Sequence, residues 1–363
     1  MTAIRLIGAA ALCLATVPAF ALDQGEYRFN AFGTLGLTYL GGEEDGRSYG
    51  IQGQTTDSWR GDQLSKLGGQ VQYGLTDQFD LTAQVIARAE QNSWEAALEW
   101  LYLSFQANDR LVLRAGRLRS PVFMYSETLD VGFTYPWIRL PDEVYHSVQI
   151  SNYEGADFIY TLPLTYGSVS FQGGGGQARN RDYFFLGEMV DVDYRKIAGG
   201  SVQLATNEFG TLRLSYSETD VHLKGLLDGE KGKFTSLGYQ YDNGSWVTAN
   251  EVTRLVVEGG SVATKDAFYL MGGRRFGNFL PHVTYAQLDE ENAGRQSSWT
   301  YGLNYSLMPN LTLKGEYKRV DTKQGGEGVF IRTFPEYVRD AVTGSPAPTF
   351  DGDIISLGFD FVF

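Results

Sequence analysis

Alternation between apolar and polar residues is the feature that most constrains the fold of this chain. In residues 355–363 every second residue is Ile, Leu or Phe, and Ser, Gly or Asp stand between most of them. The same alternation occurs in residues 27–39 and 79–88, and again around 212–217, 299–307 and 311–318. Successive side chains of a β-strand point to opposite faces, so these segments predict strands with one apolar and one polar face.

Two kinds of connection separate the predicted strands. Short segments rich in Asn, Asp, Gly and Pro favour tight turns, and longer polar segments alternate with them. Seven short and eight longer connections predict sixteen strands, with both chain ends on the short-turn side. The predicted turns are residues 76–78, 108–109, 163–165, 207–208, 242–244, 277–278 and 308–310; the longer connections are 41–61, 91–93, 119–149, 176–191, 219–231, 258–264, 289–297 and 321–351.

This layout predicts an all-β fold, a transmembrane antiparallel β-barrel of about sixteen strands. An unpaired backbone amide in hydrocarbon costs several kcal/mol, so a sheet in a membrane has to close on itself. A barrel of this size leaves a water-filled interior, where charges such as Arg28, Asp80 and Lys314 would be hydrated. A soluble β-sandwich also explains the alternation, but not its regularity from end to end or the apolar last strand.

The first residues have the pattern of an export signal. Arg5 precedes an apolar run, and the small residues Ala19 and Ala21 follow it, so we expect cleavage after Ala21 and a barrel domain over residues 22–363. The only cysteine, Cys13, lies in this signal. The whole chain has a net charge of -13, and loss of Arg5 brings the mature chain to -14. Such an acidic chain is not expected to bind nucleic acid.

Two local features carry a resemblance to the outer-membrane porins of Gram-negative bacteria. The last strand ends on the aromatic residue Phe363, and residues 113–121 lead from a strand into the longest early loop. The resemblance implies a passive channel for small hydrophilic solutes and ions in the outer membrane, surrounded by lipid and lipopolysaccharide. It also implies a homotrimer, a loop folded into the lumen, and a role for Phe363 as the signal that the outer-membrane assembly machinery reads.

The loop of residues 119–149 lacks the acidic constriction sequence of common general porins. It carries charges of both signs, which predict a transverse electric field across a narrowed pore. The alternative is that these charges pair with one another and pin the loop. The constriction candidates are Arg88, Arg117, Arg119, Glu127, Asp130, Arg139, Asp142 and Glu143.

Other functions have weaker support in the sequence. The three histidines, His146, His222 and His282, show no metal-ligand spacing, so we expect no enzyme activity, no metal and no cofactor. Two alternatives to a diffusion porin stay open. One is a substrate-specific channel with an aligned binding ladder; the other is a non-conducting barrel used for adhesion, envelope structure or hydrolysis.

Overall fold

The computed structural model describes residues 22–363 except 43–47, 51–55, 63, 91–92, 186–187, 261, 324, 327, 332–333 and 346–347. The predicted signal, residues 1–21, lies outside this range. Sixteen strands were identified within the described residues, as the sequence predicts. They are β1 (Tyr27–Gly41), β2 (Lys66–Thr76), β3 (Phe79–Glu90), β4 (Ser93–Asn108), β5 (Leu111–Arg119), β6 (Asn152–Leu164), β7 (Gly167–Phe185), β8 (Glu188–Thr206), β9 (Gly210–Leu223), β10 (Leu227–Asp242), β11 (Trp246–Val257), β12 (Lys265–Arg274), β13 (Phe279–Glu290), β14 (Gly294–Met308), β15 (Leu311–Lys323) and β16 (Asp351–Val362).

Every strand pairs antiparallel with its neighbours in the sequence, and β1 closes the barrel against β16. The closing register runs from the pair Phe32 and Val362 to the pair Gly41 and Asp353. Beyond the last strand, the backbone N–H of Phe363 donates to the carbonyl of Ala31 over 2.7 Å. The sheet therefore has no free edge, which is the condition for strands in hydrocarbon.

The two faces of the sheet differ in polarity. In contrast to a soluble protein, the outer face is apolar and the inner face is polar. Apolar side chains on the outer face are exposed, whereas many polar side chains on the inner face are buried. This arrangement is expected when the outside contacts lipid and the inside contacts water or a polar loop. Exposed apolar residues include Leu37, Leu103, Leu214, Leu237, Val252, Leu270, Leu303 and Leu357; buried polar ones include Asp80, Gln84, Ser215, Glu251, Thr284 and Ser298.

The short turns all lie at one end of the barrel, and the seven predicted turns are confirmed. Most of the predicted long connections are also found at the other end, but two are wrong. Residues 176–191 and 219–231 were predicted as loops, whereas β7, β8, β9 and β10 extend through most of both segments.

The outward positions of these strand extensions are polar, which explains the wrong prediction. Asp220 binds Lys196 over 2.8 Å and Lys231 over 3.4 Å. Charged residues in these ion pairs occupy outward positions where a lipid-facing strand has apolar residues, although the backbone hydrogen bonds between the strands continue. The extensions therefore carry no sequence signal for a lipid-facing strand.

In the residues that the structure describes, two α-helices lie in connections between strands. Helix α1 (Asp142–Tyr145) is in the connection between β5 and β6, and α2 (Phe334–Thr343) is in the connection between β15 and β16. Among the helices in the described part of the chain, none has the length and apolar composition needed to cross a bilayer.

Candidate functional site

The connection between β5 and β6, residues 120–151, folds into the barrel and is called loop 3 below. Its segments are a 3-10 turn at Ser126–Thr128, a second at Gly132–Thr134, and α1. Loop 3 contacts lumen-facing side chains around the barrel, among them Arg88 of β3, Arg213 of β9, Glu251 of β11 and Lys314 of β15. The prediction that a long loop enters the lumen is confirmed.

One side of loop 3 is apolar and packs on the inner face of β10–β13. Trp137 is 1% exposed, lies edge-on against the ring of Tyr269, and donates its indole N–H to Thr284 over 2.8 Å. Phe123 packs in the same way against Phe234. Aromatic edge-to-face contacts of this kind add to the free energy gained by burial. The apolar cluster fixes this part of loop 3 to β10–β13.

Lys314 of β15 is the main polar anchor of loop 3. Its ammonium group donates to the carbonyls of Gly132, Tyr135 and Trp137 over 2.7–2.8 Å. It also pairs with Asp360 over 2.6 Å, and both side chains are at most 2% exposed. A buried charge is tolerated only when it is paired and hydrogen-bonded, and this ammonium has four oxygen partners.

Glu251 of β11 anchors the first part of the loop. Its carboxylate accepts hydrogen bonds from the backbone N–H of Met124 and the hydroxyl of Tyr145, both over 2.8 Å, and from Ser236 over 2.5 Å. The two ends of loop 3 are therefore held by one buried carboxylate. These donors offset part of the cost of burying the carboxylate.

Two predicted constriction residues, Asp142 and Glu143, instead anchor α1. Lys318 of β15 binds the carboxylate of Asp142 over 3.0 Å and that of Glu143 over 3.2 Å. Glu143 is fully buried and also accepts a hydrogen bond from Gln296. Burial would raise the pKa of Asp142, but the nearby charge of Lys318 lowers it overall. Glu143 has no exposed surface, so its placement in the constriction is wrong.

Arg88, Arg119 and Asp130 meet in one ion-pair cluster with Glu99. Arg119 binds Asp130 over 2.7 Å, and Arg88 binds Glu99 over 3.0 Å. Burial alone would raise the pKa of Asp130, but the charges of Arg119, Lys66 and Arg88 lower it. The cluster ties the tip of loop 3 to β3 and β5. Arg88 is the member with the most exposed side chain, at 33%.

Arg117 does not face the lumen, and its prediction as a constriction residue is wrong. It lies opposite Leu101, whose exposed side chain is on the outer face. There Arg117 pairs with Glu154 over 2.7 Å, and Arg181 binds the same carboxylate over 2.6 Å. The charge of Arg117 indicated that its side chain faces water inside the barrel. Pairing with Glu154 neutralises that charge, so Arg117 is also tolerated on the outer face.

Arg139 lies on loop 3 beside the side chains of Trp137, Asp142 and Glu316. These residues line a cavity of about 20 Å³, which is close to the volume of one water molecule. The structure therefore places Arg139, which is partly buried, beside this small cavity.

Glu127 is the predicted constriction residue that remains half-exposed and unpaired. Within the described residues its carboxylate has no hydrogen-bonded or ion-paired partner. It lies within electrostatic range of two arginines on the facing wall, Arg114 and Arg213. Arg114 is paired with Asp157 over 2.5 Å, whereas Arg213 donates to the carbonyl of Pro121 over 3.3 Å. Glu127 and these two arginines therefore carry opposite charges within electrostatic range of each other.

Comparison with known proteins identifies the family. The family described as Gram-negative porin matches residues 8–325 of the chain. This chain is a member of that porin family. It is thus an outer-membrane channel protein of a Gram-negative bacterium, as the sequence predicts. The search of curated proteins found no significant match.

Solved porins share the fold of this porin at low sequence identity. Salmonella typhi OmpF in complex with daunomycin has a TM-score of 0.61 at 12% identity, with 94% of this chain and 98% of that chain covered. An anion-selective porin from Comamonas acidovorans has a TM-score of 0.60 at 12% identity, covering 94% and 100%. The trimer form of Vibrio cholerae OmpT has a TM-score of 0.57 at 12% identity, again covering 94% and 100%.

Sequence reasoning missed Glu99 and Glu251, two carboxylates that hold loop 3 of this porin. Glu99 lies at a bulge, where β4 has one residue more than β3 between the pairs Gln84–Trp100 and Val85–Leu98. The bulge shifts the alternation, so neither parity of β4 is consistently apolar. Glu251 was missed because the lumen face of β11 packs against loop 3 and carries apolar residues. The alternation between apolar and polar residues that marks a strand between lipid and water is therefore weak in β11.

Proposed function

We propose that this porin is a passive diffusion channel for small hydrophilic solutes and ions, narrowed by loop 3. The observation that carries the proposal is the position of loop 3, which is anchored inside a closed sixteen-strand barrel. A barrel of this size is wide enough for an aqueous channel, and a fixed loop reduces its width without filling it.

We further propose that Glu127 on loop 3 and Arg88 of β3 line the narrow part, and that the charges of Arg114 and Arg213 act on it from within the wall. Of the candidates predicted from the sequence, this assignment keeps Glu127 and Arg88 as lining residues. Arg119, Asp130 and Asp142 would act by holding the loop. Charges that face each other across a narrow passage orient polar solutes and bias the ions that enter.

Glu127→Gln is expected to shift ion selectivity toward anions. A unit charge about 6 Å from a passing ion contributes roughly 0.7 kcal/mol even at the dielectric constant of water. The charge attracts a cation and repels an anion by this amount, so its loss should change the cation-to-anion permeability ratio by about tenfold. The measurement is the reversal potential across a planar bilayer that separates two concentrations of KCl.

The matched control is Glu208→Gln, the same change at an exposed position in a short turn. Glu208 is remote from loop 3, so we expect its reversal potential to equal that of the wild type. Equal reversal potentials for Glu127→Gln and the wild type would place Glu127 outside the ion path and remove it from the proposed constriction.

The partners of the channel are also proposals. We infer a homotrimer from the porin fold, with lipid and lipopolysaccharide around the outer face and Phe363 as part of the assembly signal. Phe363 is exposed and follows the closing strand, so it is accessible to another protein. Cross-linking of intact outer membranes tests the trimer, since a homotrimer gives a product of three times the monomer mass.

A further inference from the structure

The outer part of the lumen contains a cavity of about 370 Å³ above loop 3. It is lined by the outer ends of β8–β12, by residues 146–150 of loop 3, and by residues 328–331 between β15 and β16. Its wall on β8–β11 includes the polar residues Ser217 and Thr219 and six branched apolar side chains, namely Val192, Val221, Leu223, Leu227, Leu255 and Val257.

The register of β9 shows that these side chains face the lumen. Ser215 donates a hydrogen bond to the carbonyl of Val122 in loop 3, so the odd-numbered residues of β9 point inward. Val221 and Leu223 have the same parity. On the even positions, Tyr216 is exposed on the outer face. The apolar wall therefore belongs to the channel interior and not to the lipid-facing surface.

This apolar wall is restricted to the outer part of the lumen. Nearer the short turns, the inward positions of β9 are Thr211, Arg213 and Ser215, all polar. The interior of a channel for hydrophilic solutes is expected to be polar throughout. Packing against loop 3 does not explain why the outer part of the wall is apolar, because the cavity remains open between loop 3 and this wall.

Polar groups gather at one side of the cavity. Lys265 and Glu290 form an ion pair over 2.7 Å at its edge, and His146 lies beside them. Burial, together with the charge of Lys265, lowers the pKa of His146 to about 4, so its imidazole is neutral at pH 7. These groups offer hydrogen-bond donors and acceptors without a net charge.

We propose that this cavity is a binding site for a small neutral solute with a ring-sized apolar body and one hydroxyl or amide group. Ligand sites are typically about 300–1,000 Å³ and mostly apolar, with a few polar groups that fix orientation. A charged head group would have to compete with an ion pair already formed, whereas a hydroxyl both donates and accepts. The inference rests on the proposed channel function and adds a selective site to it.

The test uses 4-methylphenol as the probe and glycerol as the polar control. Single-channel recordings of the wild type should show reversible, saturable reduction of current by 4-methylphenol and none by glycerol at the same concentrations. Val192→Thr, Val221→Thr and Val257→Thr together keep side-chain shape and strand propensity but add three hydroxyls to the wall. This triple variant should bind the probe at least about tenfold more weakly.

The matched control makes the same change at three lipid-facing valines, Val202, Val252 and Val283. It should bind the probe like the wild type. If the wild type carries current that 4-methylphenol does not reduce saturably, the proposed site is overturned. Equal affinity of the two triple variants for 4-methylphenol would also overturn it. Neither result would contradict the proposed channel function. If the wild type carries no current, the proposed function fails, and equilibrium dialysis of 4-methylphenol against the same purified proteins decides the site. Equal retention by the wild type and the lumen variant would then overturn it.

Discussion

Lys314→Met is expected to release loop 3 from β15 and to turn a steady channel into a noisy one with higher conductance. The variant removes the donor for three loop carbonyls and leaves Asp360 buried beside the hydroxyl of Thr34. Breaking a buried ion pair by removing one partner costs about 3–5 kcal/mol, because the other charge remains uncompensated. Unfolding by urea in lipid vesicles and single-channel noise measure the two effects.

Two further variants separate charge from loop anchoring. Asp360→Asn added to Lys314→Met removes the unpaired charge, so it should recover part of the unfolding free energy but leave the current noisy. Lys196→Met breaks an ion pair on the outer face and should change neither measurement. A quiet wild-type current from Lys314→Met would show that the three carbonyl contacts do not hold the loop.

Trp137→Ala is expected to cost about 3–5 kcal/mol of unfolding free energy, the usual range for truncating a fully buried tryptophan. The change leaves a cavity between loop 3 and Tyr269 and removes the hydrogen bond to Thr284. Because the packing of loop 3 on β10–β13 is then weakened, trypsin should cleave after Arg139, which lies in the middle of the loop. Urea unfolding and limited proteolysis measure these outcomes.

The control is Trp59→Ala, which removes an exposed tryptophan stacked on Tyr39 outside the lumen. It should leave both the unfolding free energy and the resistance of Arg139 to trypsin close to those of the wild type. Resistance of Trp137→Ala to trypsin, together with an unchanged unfolding midpoint, would contradict the role given to the apolar cluster.

The barrel was predictable from the sequence because lipid imposes a simple rule on each strand. Where one face contacts lipid and the other water, as in β16, apolar residues occur at every second position and show the strand directly. Turn residues such as those at 242–244 mark the reversals in the same local way. Strand number, closure and the position of loop 3 along the chain follow from such local signals.

The site was less predictable because it depends on contacts that are distant in sequence. Lys314 binds loop 3 about 180 residues away, and no periodic pattern encodes that contact. Charge alone did not separate a lining residue from an anchor, so Glu127 and Glu143 were predicted alike. The outward position of Arg117 depends on pairing with Glu154, a partner on the next strand.

The barrel is expected to enclose a water-filled passage beside loop 3. The current carried by the purified wild-type protein in planar bilayers of defined lipid tests this most directly. We expect discrete conductance steps that grow linearly with voltage and with salt concentration. Bilayers that contain the folded barrel and show no current above that of lipid alone would contradict it.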